Sequence, residues 1–360
     1  MDSPNTIITE KIRQEAQRLL SQGEVAAVLG FVPGTLPMTT RPFVARNAED
    51  AKRLVWNSFC VMNLANYLPQ VLKSVEPHRG PKDPPPEGPL PKVAVLATGC
   101  WSRNMVVQIQ ENQIQRERVV ILGMSSRGMV DKKKVMAKVG GRQIHKVEES
   151  EHSLLVEGKD LKEEINRWEV VRDNCQSCVH PDPVIYDLML TEKSGDRQNP
   201  RRFSQVEQIE AMEPSERWAW FMDEISTCIR CYACRNACPL CYCPTCFVDD
   251  SRPQWVGKSV DPTDTALFHI LRAYHCAGRC TDCGACESAC PMGIRMRLLT
   301  KKLEKDVLEL YGVEAGLDLE TPPPLATYRQ DDPQDFVITE QAKTRQDEGG
   351  KGKSGEVTQS

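Results

Sequence analysis

The sequence predicts an α+β chain, with an N-terminal α/β domain followed by a cysteine-rich domain carrying helical insertions. Three observations carry this. A strand–helix–strand pattern runs through residues 92–122. Twelve of the sixteen cysteines fall between Cys228 and Cys290. The polar stretch TEKSGDRQNPRR, residues 191–202, separates the two regions.

The elements follow in order. Residues 1–76 read as a helical N-terminal segment. Ile12, Ala16, Leu19 and Leu20 recur at helical spacing, and so do Leu54, Val55, Phe59, Leu64, Leu68 and Val71. Residues 77–91 hold seven prolines, which suit neither a helix interior nor a central strand, and form a Pro-rich linker. The α/β domain then occupies 92–190. Strands are expected over 92–97, 118–122, 144–147 and 153–156, with helices over 102–115 and 161–171. Strand, helix, strand in that order predicts a parallel pair. Residues 204–312 make the second domain, with a helix around Trp218, Trp220 and Phe221 and others over 266–275 and 294–311. Residues 313–360 read as a mostly disordered tail, because 343–360 is rich in Gly, Lys, Glu and Ser and has no aromatic residue.

Composition excludes several classes. A net charge of −4 gives no support to nucleic-acid binding. No apolar run reaches the roughly 18–20 residues of a membrane helix, so no membrane insertion is expected. The opening MDSPNTIITEKIRQEAQ lacks the basic-then-apolar pattern of a secretory signal. A cytoplasmic, reducing location follows, where clustered thiols bind metal. Neither G-x-S-x-G nor H-E-x-x-H occurs, and no residue is assigned a catalytic role.

The cysteine spacing is specific. Residues 228–239 read CIRCYACRNACP and residues 280–291 read CTDCGACESACP. Both are C-x2-C-x2-C-x3-C-P, the run that holds a 4Fe–4S cube. Each iron needs one thiolate, and three closely spaced cysteines can wrap one cube. The fourth, a helical turn later, points to the other cube. Crossed in this way, Cys228, Cys231, Cys234 and Cys290 would hold one cluster, and Cys280, Cys283, Cys286 and Cys238 the other. Paired zinc sites are the alternative, but zinc favours two C-x2-C pairs set apart by a longer loop.

Residues 227–295 therefore resemble two-cluster bacterial ferredoxins, which implies a ferredoxin-like dicluster domain. One departure is the long connection from Cys238 to Cys280, which carries Cys241, Cys243 and Cys246. These would ligate further metal or pack as small buried thiols against a cluster. Cys276, on the helix expected over 266–275 or at its end, reads as core. Arg230 and Arg235 lie beside ligands and would favour the reduced clusters.

A second resemblance covers residues 92–190. ATGCW (97–101), ILGMSSRGM (121–129) and NCQSCVH (174–180) resemble the β subunits of deazaflavin-coenzyme-dependent hydrogenases and formate dehydrogenases. That resemblance implies FAD and a further cluster held by Cys100, Cys175 and Cys178. Ser125 and Ser126 stand where the family often has a cysteine, so Cys60 or one of Cys241, Cys243 and Cys246 would complete the set. A flavin phosphate would sit at Thr98 and Gly99, where a strand meets a helix N-terminus. No G-x-G-x-x-G or G-x-x-x-x-G-K-[ST] accompanies them. Asp131, Lys132, Lys133 and Lys134 read as a solvated helix face, and His180 and His275 as locally bonded.

The expected function is an electron-transfer subunit that passes single electrons through two 4Fe–4S clusters. Its partners would be other subunits of a hydrogenase, formate dehydrogenase or heterodisulfide-reductase-like complex. One alternative is a flavin subunit exchanging hydride with a deazaflavin or nicotinamide coenzyme. The other is a zinc-stabilised scaffold.

Overall fold

The computed structural model describes residues 4–78, 80, 88–324 and 327. Helix α1 (Pro4–Ser21) opens the chain and turns Thr9, Ile12, Ala16 and Leu19 inward, one stripe at three- and four-residue steps. Strand β1 (Ala27–Pro33) follows and is buried at every residue but the last. It pairs antiparallel with β2 (Thr40–Ala45), in register from Val28 opposite Ala45 to Pro33 opposite Thr40. Two short helices, α2 (Ala48–Ala51) and α3 (Leu68–Ser74), return the chain to the sheet.

The parallel pair expected from the sequence is present. Strand β3 (Val93–Ala97) leads into α4 (Gly99–Gln110) and then β4 (Val119–Gly123), with Val93 opposite Val119 and Ala97 opposite Gly123. Helix α5 (Lys132–Lys138) begins at Asp131, whose carboxylate accepts from Lys133 N. Next comes an antiparallel meander of β5 (Ile144–Glu149), β6 (Ser153–Gly158) and β7 (Leu161–Asn166). After α6 (Arg167–Val170) and α7 (Asp173–Gln176), β8 (Leu188–Met189) joins the free edge of β4 in parallel. The larger sheet thus runs β2-β1-β3-β4-β8.

The cysteine-rich region is helical. It contains α8 (Ser204–Glu210), α9 (Pro214–Ile225), α10 (Ala233–Asn236), α11 (Pro262–Tyr274), α12 (Ala285–Ala289) and α13 (Arg297–Tyr311). The whole is a mixed α+β arrangement. No helix among the described residues is long and apolar enough to cross a membrane.

Two local expectations fail, each for a physical reason. Residues 1–76 are not one helical segment, because β1 and β2 lie inside it. The run AAVLGFVP is continuously apolar and has no helical period, which suits a strand covered on both faces. The apolar spacing over 54–71 is also broken. Asn57 Oδ1 accepts from Phe59 N and Asn63 Oδ1 from Ala65 N, local turns that compete with a helix. The helix expected over 161–171 is β7 followed by the single turn of α6. Leu161 and Ile165 are four apart, a spacing that shares one face in a helix and in a strand alike. Pairing with β6 decides it. Of the Pro-rich linker, residues 79 and 81–87 lie outside the described residues, as do 325–326 and 328–360 of the tail.

Helix α4 joins the two regions. Ser102, Arg103, Asn104 and Gln108 on it are buried, although polar. Asn104 Nδ2 donates to Thr281 Oγ1 at 2.8 Å, and Gln108 Nε2 to Pro239 O at 2.9 Å. Arg103 donates twice to Ala315 O. The polar face of the helix is therefore an internal seam between sheet and cysteine region, bonded across it by Arg103, Asn104 and Gln108, with Gln108 Oε1 left without a partner among the described residues.

Candidate metal centres

The two cysteine runs share one backbone course. Arg230 and Asp282, each two residues after the first cysteine, have φ 49° and 54°. Tyr232 and Gly284, two further on, have φ 59° and 67°. Left-handed residues between right-handed ones turn successive N–H groups to one side, a concavity that suits anions and iron–sulfur groups. Its effect reaches the first sulfur of each run. Arg230 N–H donates to Cys228 and Asp282 N–H to Cys280. Keeping Arg230, Tyr232 and Asp282 there costs about 1–2 kcal/mol each, which fits a demand set by the bound group.

The sulfurs assemble in the crossed pattern. Cys228, Cys231, Cys234 and Cys290 line one cavity together with Phe268, Ile294 and Met296. Cys238 interacts instead with Cys283 and Cys286, the second run. Burial pushes the Cys280 thiol up to about 12 and raises those of Cys283 and Cys286. Such thiols become thiolates when cationic iron offsets the lost hydration, so this donor set fits the group.

The long connection contributes more than cysteines. Helix α11 starts at Asp261, whose carboxylate accepts from Thr263 N, and directs His269 and Arg272, three residues apart, inward. His269 Nε2 lies 3.4 Å from Cys228 Sγ. Burial, aided by Arg272 and Arg230, lowers this imidazole to about 4, so it is neutral near pH 7. Cys276, just past the helix, is buried as expected. Its sulfur and those of Cys238 and Cys241 all lie within 4.8 Å of one another. Cys246 meets the Arg235 side chain, and Cys243 is exposed.

Upstream, Cys100, Cys175 and Cys178 do converge on one cavity, at the seam between the regions. Cys175 Sγ accepts from Met129 N at 3.3 Å. The fourth thiols suggested by the sequence do not reach it. Cys60 is buried in the sheet core and donates to Asn57 Oδ1, and Cys241 and Cys246 sit in the dicluster-type region. Charge lines the cavity instead. Glu314 meets Arg202 at 2.6 Å, Arg103 at 3.1 Å and His180 Nε2 at 2.9 Å.

Comparison with known proteins fits this geometry. Residues 224–294 match the family described as a 4Fe-4S dicluster domain. The C-terminal region is a 4Fe–4S dicluster domain. Its cofactors are two 4Fe–4S clusters. The chain is 32% identical over 120 residues to the F420-dependent formate dehydrogenase subunit beta of Methanocaldococcus jannaschii, covering 33% of this chain and 30% of that protein. It is 24% identical over 294 residues to the F420-dependent formate dehydrogenase 1 subunit beta of Methanococcus maripaludis, covering 65% and 75%. The chain thus spans less than a third of the first relative's length. A chain of the F420-reducing [NiFe] hydrogenase complex of Methanosarcina barkeri is similar at 16% identity and TM-score 0.34, over 50% of this chain and 64% of that one. At that score it carries no argument about the fold.

The Thr98–Gly99 turn is closed to a phosphate. Thr98 is 1% exposed, Gly99 N donates to Pro181 O, and a Cβ on Gly99 would lie 2.0 Å from His180 O. The strand-to-helix turn was legible, but the His180–Pro181 segment that covers it comes from eighty residues away. His180 is bonded to Asp196 and, across the seam, to Glu314, so it is held by distant as well as nearby groups, and His275 packs edge-on against Phe247. Lys132 and Lys133 are exposed, as a solvated face requires, but Lys133 Nζ also donates to Cys290 O at 3.3 Å and Lys134 pairs with Asp173. Sequence reading passed over His269 and Arg272. The available signal was a histidine and an arginine one turn apart on the helix preceding the second run.

Proposed function

We propose that this chain is the iron–sulfur electron-transfer subunit of an oxidoreductase complex, working with other subunits as electron donor and acceptor. Cys228, Cys231, Cys234 and Cys290 hold one cluster, and Cys280, Cys283, Cys286 and Cys238 the other. The observation that carries this is the seating of Cys290 in the cavity of the first run, sixty residues upstream. Each cluster accepts and gives up one electron. The protein supplies the backbone N–H groups on Cys228 and Cys280, the neutral His269 beside Cys228, and apolar packing from Phe221, Phe268 and Ile294 on the inner side of the first site. These are the levers that set cluster potentials. The names of the relatives suggest a formate dehydrogenase type of complex, with F420 as a coenzyme of the assembly.

Cys100, Cys175 and Cys178 add a three-thiol cradle for a further iron–sulfur group at the seam. A flavin reading keeps one support, a second cavity beside α12. Phe59, Met62 and Tyr67 line it with Lys133, Arg172 and Arg295, offering apolar walls and cations to a planar anionic ligand.

Anaerobic iron, sulfide and flavin analysis per chain tests the assignment. About eight irons with equal sulfide are expected for two cubes, and about twelve if the upstream thiols also load. Stoichiometric flavin would select the hydride-exchanging subunit. Zinc without iron or sulfide would replace the proposal with a structural scaffold.

A further inference from the structure

Arg272 stands where both cysteine groups meet. Its side chain is 5% exposed, and Nη2 donates to the carbonyl of Cys234, a member of the first group, at 3.0 Å. The thiols that act on its charge are Cys238 and Cys286 of the second group, Cys276, and Cys234 of the first. No carboxylate pairs with it among the described residues. Arg230, Arg235, Arg279 and Arg297 each have different partners: Ser259 O and Tyr232, Asp249, Glu111, and Asp282 with Glu287. Arg272 Nε is buried and has no acceptor among the described residues. A buried donor without an acceptor is costly, as is a buried cation without an anion. Both costs vanish when anionic iron–sulfur groups occupy the two sites that flank it.

We infer that Arg272 is a shared positioning residue of the two clusters, a fixed cation that favours the reduced state of both and donates Nε–H to cluster or thiolate sulfur. The inference rests on the two-cluster reading above and specifies what tunes it. One charge acting on two neighbouring groups moves their potentials together. The step between them is then left nearly unchanged while both midpoints rise. Arg230 and Arg235, singled out by their place in the motif, flank the first run alone. The long connection thus has an electrostatic task, since it carries α11 and Arg272 with it.

The test is an anaerobic EPR-monitored redox titration of wild type, Arg272→Gln, Arg272→Met and Arg272→Lys, each with iron and sulfide measured. Both midpoints are expected to shift downward in the Gln and Met variants and to return most of the way in the Lys variant. Fully loaded Gln and Met variants with both midpoints unmoved would overturn the inference. A merely structural arginine would alter iron content without moving potentials in step. If the neutral variants do not load, wild-type protein grown on guanidino-15N arginine decides. A nitrogen coupling to the reduced clusters that disappears in Arg272→Lys supports the contact, and its absence in wild type refutes it. Failure of the wild type to bind about eight irons would instead sink the two-cluster reading itself.

Discussion

Tyr232 and Gly284 hold the same place in the two cysteine runs, and both adopt left-handed backbone, with φ 59° and 67°. The glycine is there for a second reason. A Cβ on Gly284 would lie 2.7 Å from Arg172 Nη2 and 2.8 Å from Asn174 Cγ, side chains that reach over from the α/β domain. At Tyr232 the ring instead packs edge-on against Phe268, with centroids 5.3 Å apart. Gly284→Ala is therefore expected to cost about 2 kcal/mol, strain plus a displaced seam. Tyr232→Phe should cost less, because it keeps the ring against Phe268 and loses only the hydroxyl that accepts from Arg230 Nη2. Thermal unfolding of the two variants checks the order, and an equal loss would contradict it.

Crossed ligation makes an asymmetric prediction. Cys290→Ala should remove the signal of the cluster held by Cys228, Cys231 and Cys234 and leave the neighbouring one, while Cys238→Ala should do the reverse. EPR of the reduced, anaerobically prepared variants distinguishes the two. Loss of the near cluster in each would show uncrossed ligation.

Glu314 closes the upstream cavity. Burial alone would raise its carboxyl, but His180, Arg103 and Arg202 outweigh burial and hold it well below the usual carboxylate range. A carboxyl depressed by folding contributes stability fully above its unfolded value, about 4.3, and loses it as pH falls toward the folded one. Glu314→Gln should thus lower stability by about 3 kcal/mol near neutrality, because it leaves the buried Arg103 without a carboxylate, while Arg202 keeps Glu304 at 3.0 Å. The gap between variant and wild type should stay level from pH 8 to about 5 and narrow below that. Denaturation followed by circular dichroism across that range would show it, and a gap that widens in acid would refute it.

Glu149 does a similar job beyond the cysteines. It pairs with Arg167 at 2.9 Å, side chains 9% and 7% exposed, while Arg167 also donates to Arg127 O and Ser58 Oγ. Glu149→Ala should cost about 3 kcal/mol by leaving that guanidinium uncompensated. Iron content should be unchanged, since neither residue lines a cysteine cavity. Reduced iron loading in folded protein would contradict the separation.

Arg230 and Arg235 no longer stand as equals. Arg230 is 6% exposed with neutral partners, whereas Arg235 is matched by Asp249 at 2.7 Å. Arg230→Gln should lower the midpoint of the first cluster, and Arg235→Gln should move it less, because a paired charge is already largely cancelled. Redox titration of both checks this.

Local chemistry was written in the chain itself. The repeated C-x2-C-x2-C-x3-C-P run marks the 4Fe–4S dicluster domain, because each cube needs thiolates at steps that one tight backbone course provides. The period of α1 and the apolar β3 and β4 were equally plain, since a short element states its buried face in its own residues. Burial against distant partners was not written there. The β1 strand, the closure of Thr98 and Gly99 by His180–Pro181, the polar seam on α4, and the place of Arg272 between two sulfur groups depend on contacts made far along the chain. A side chain's own identity sets what it can bond, and only the folded neighbourhood sets whether water, carboxylate or sulfur is there to meet it.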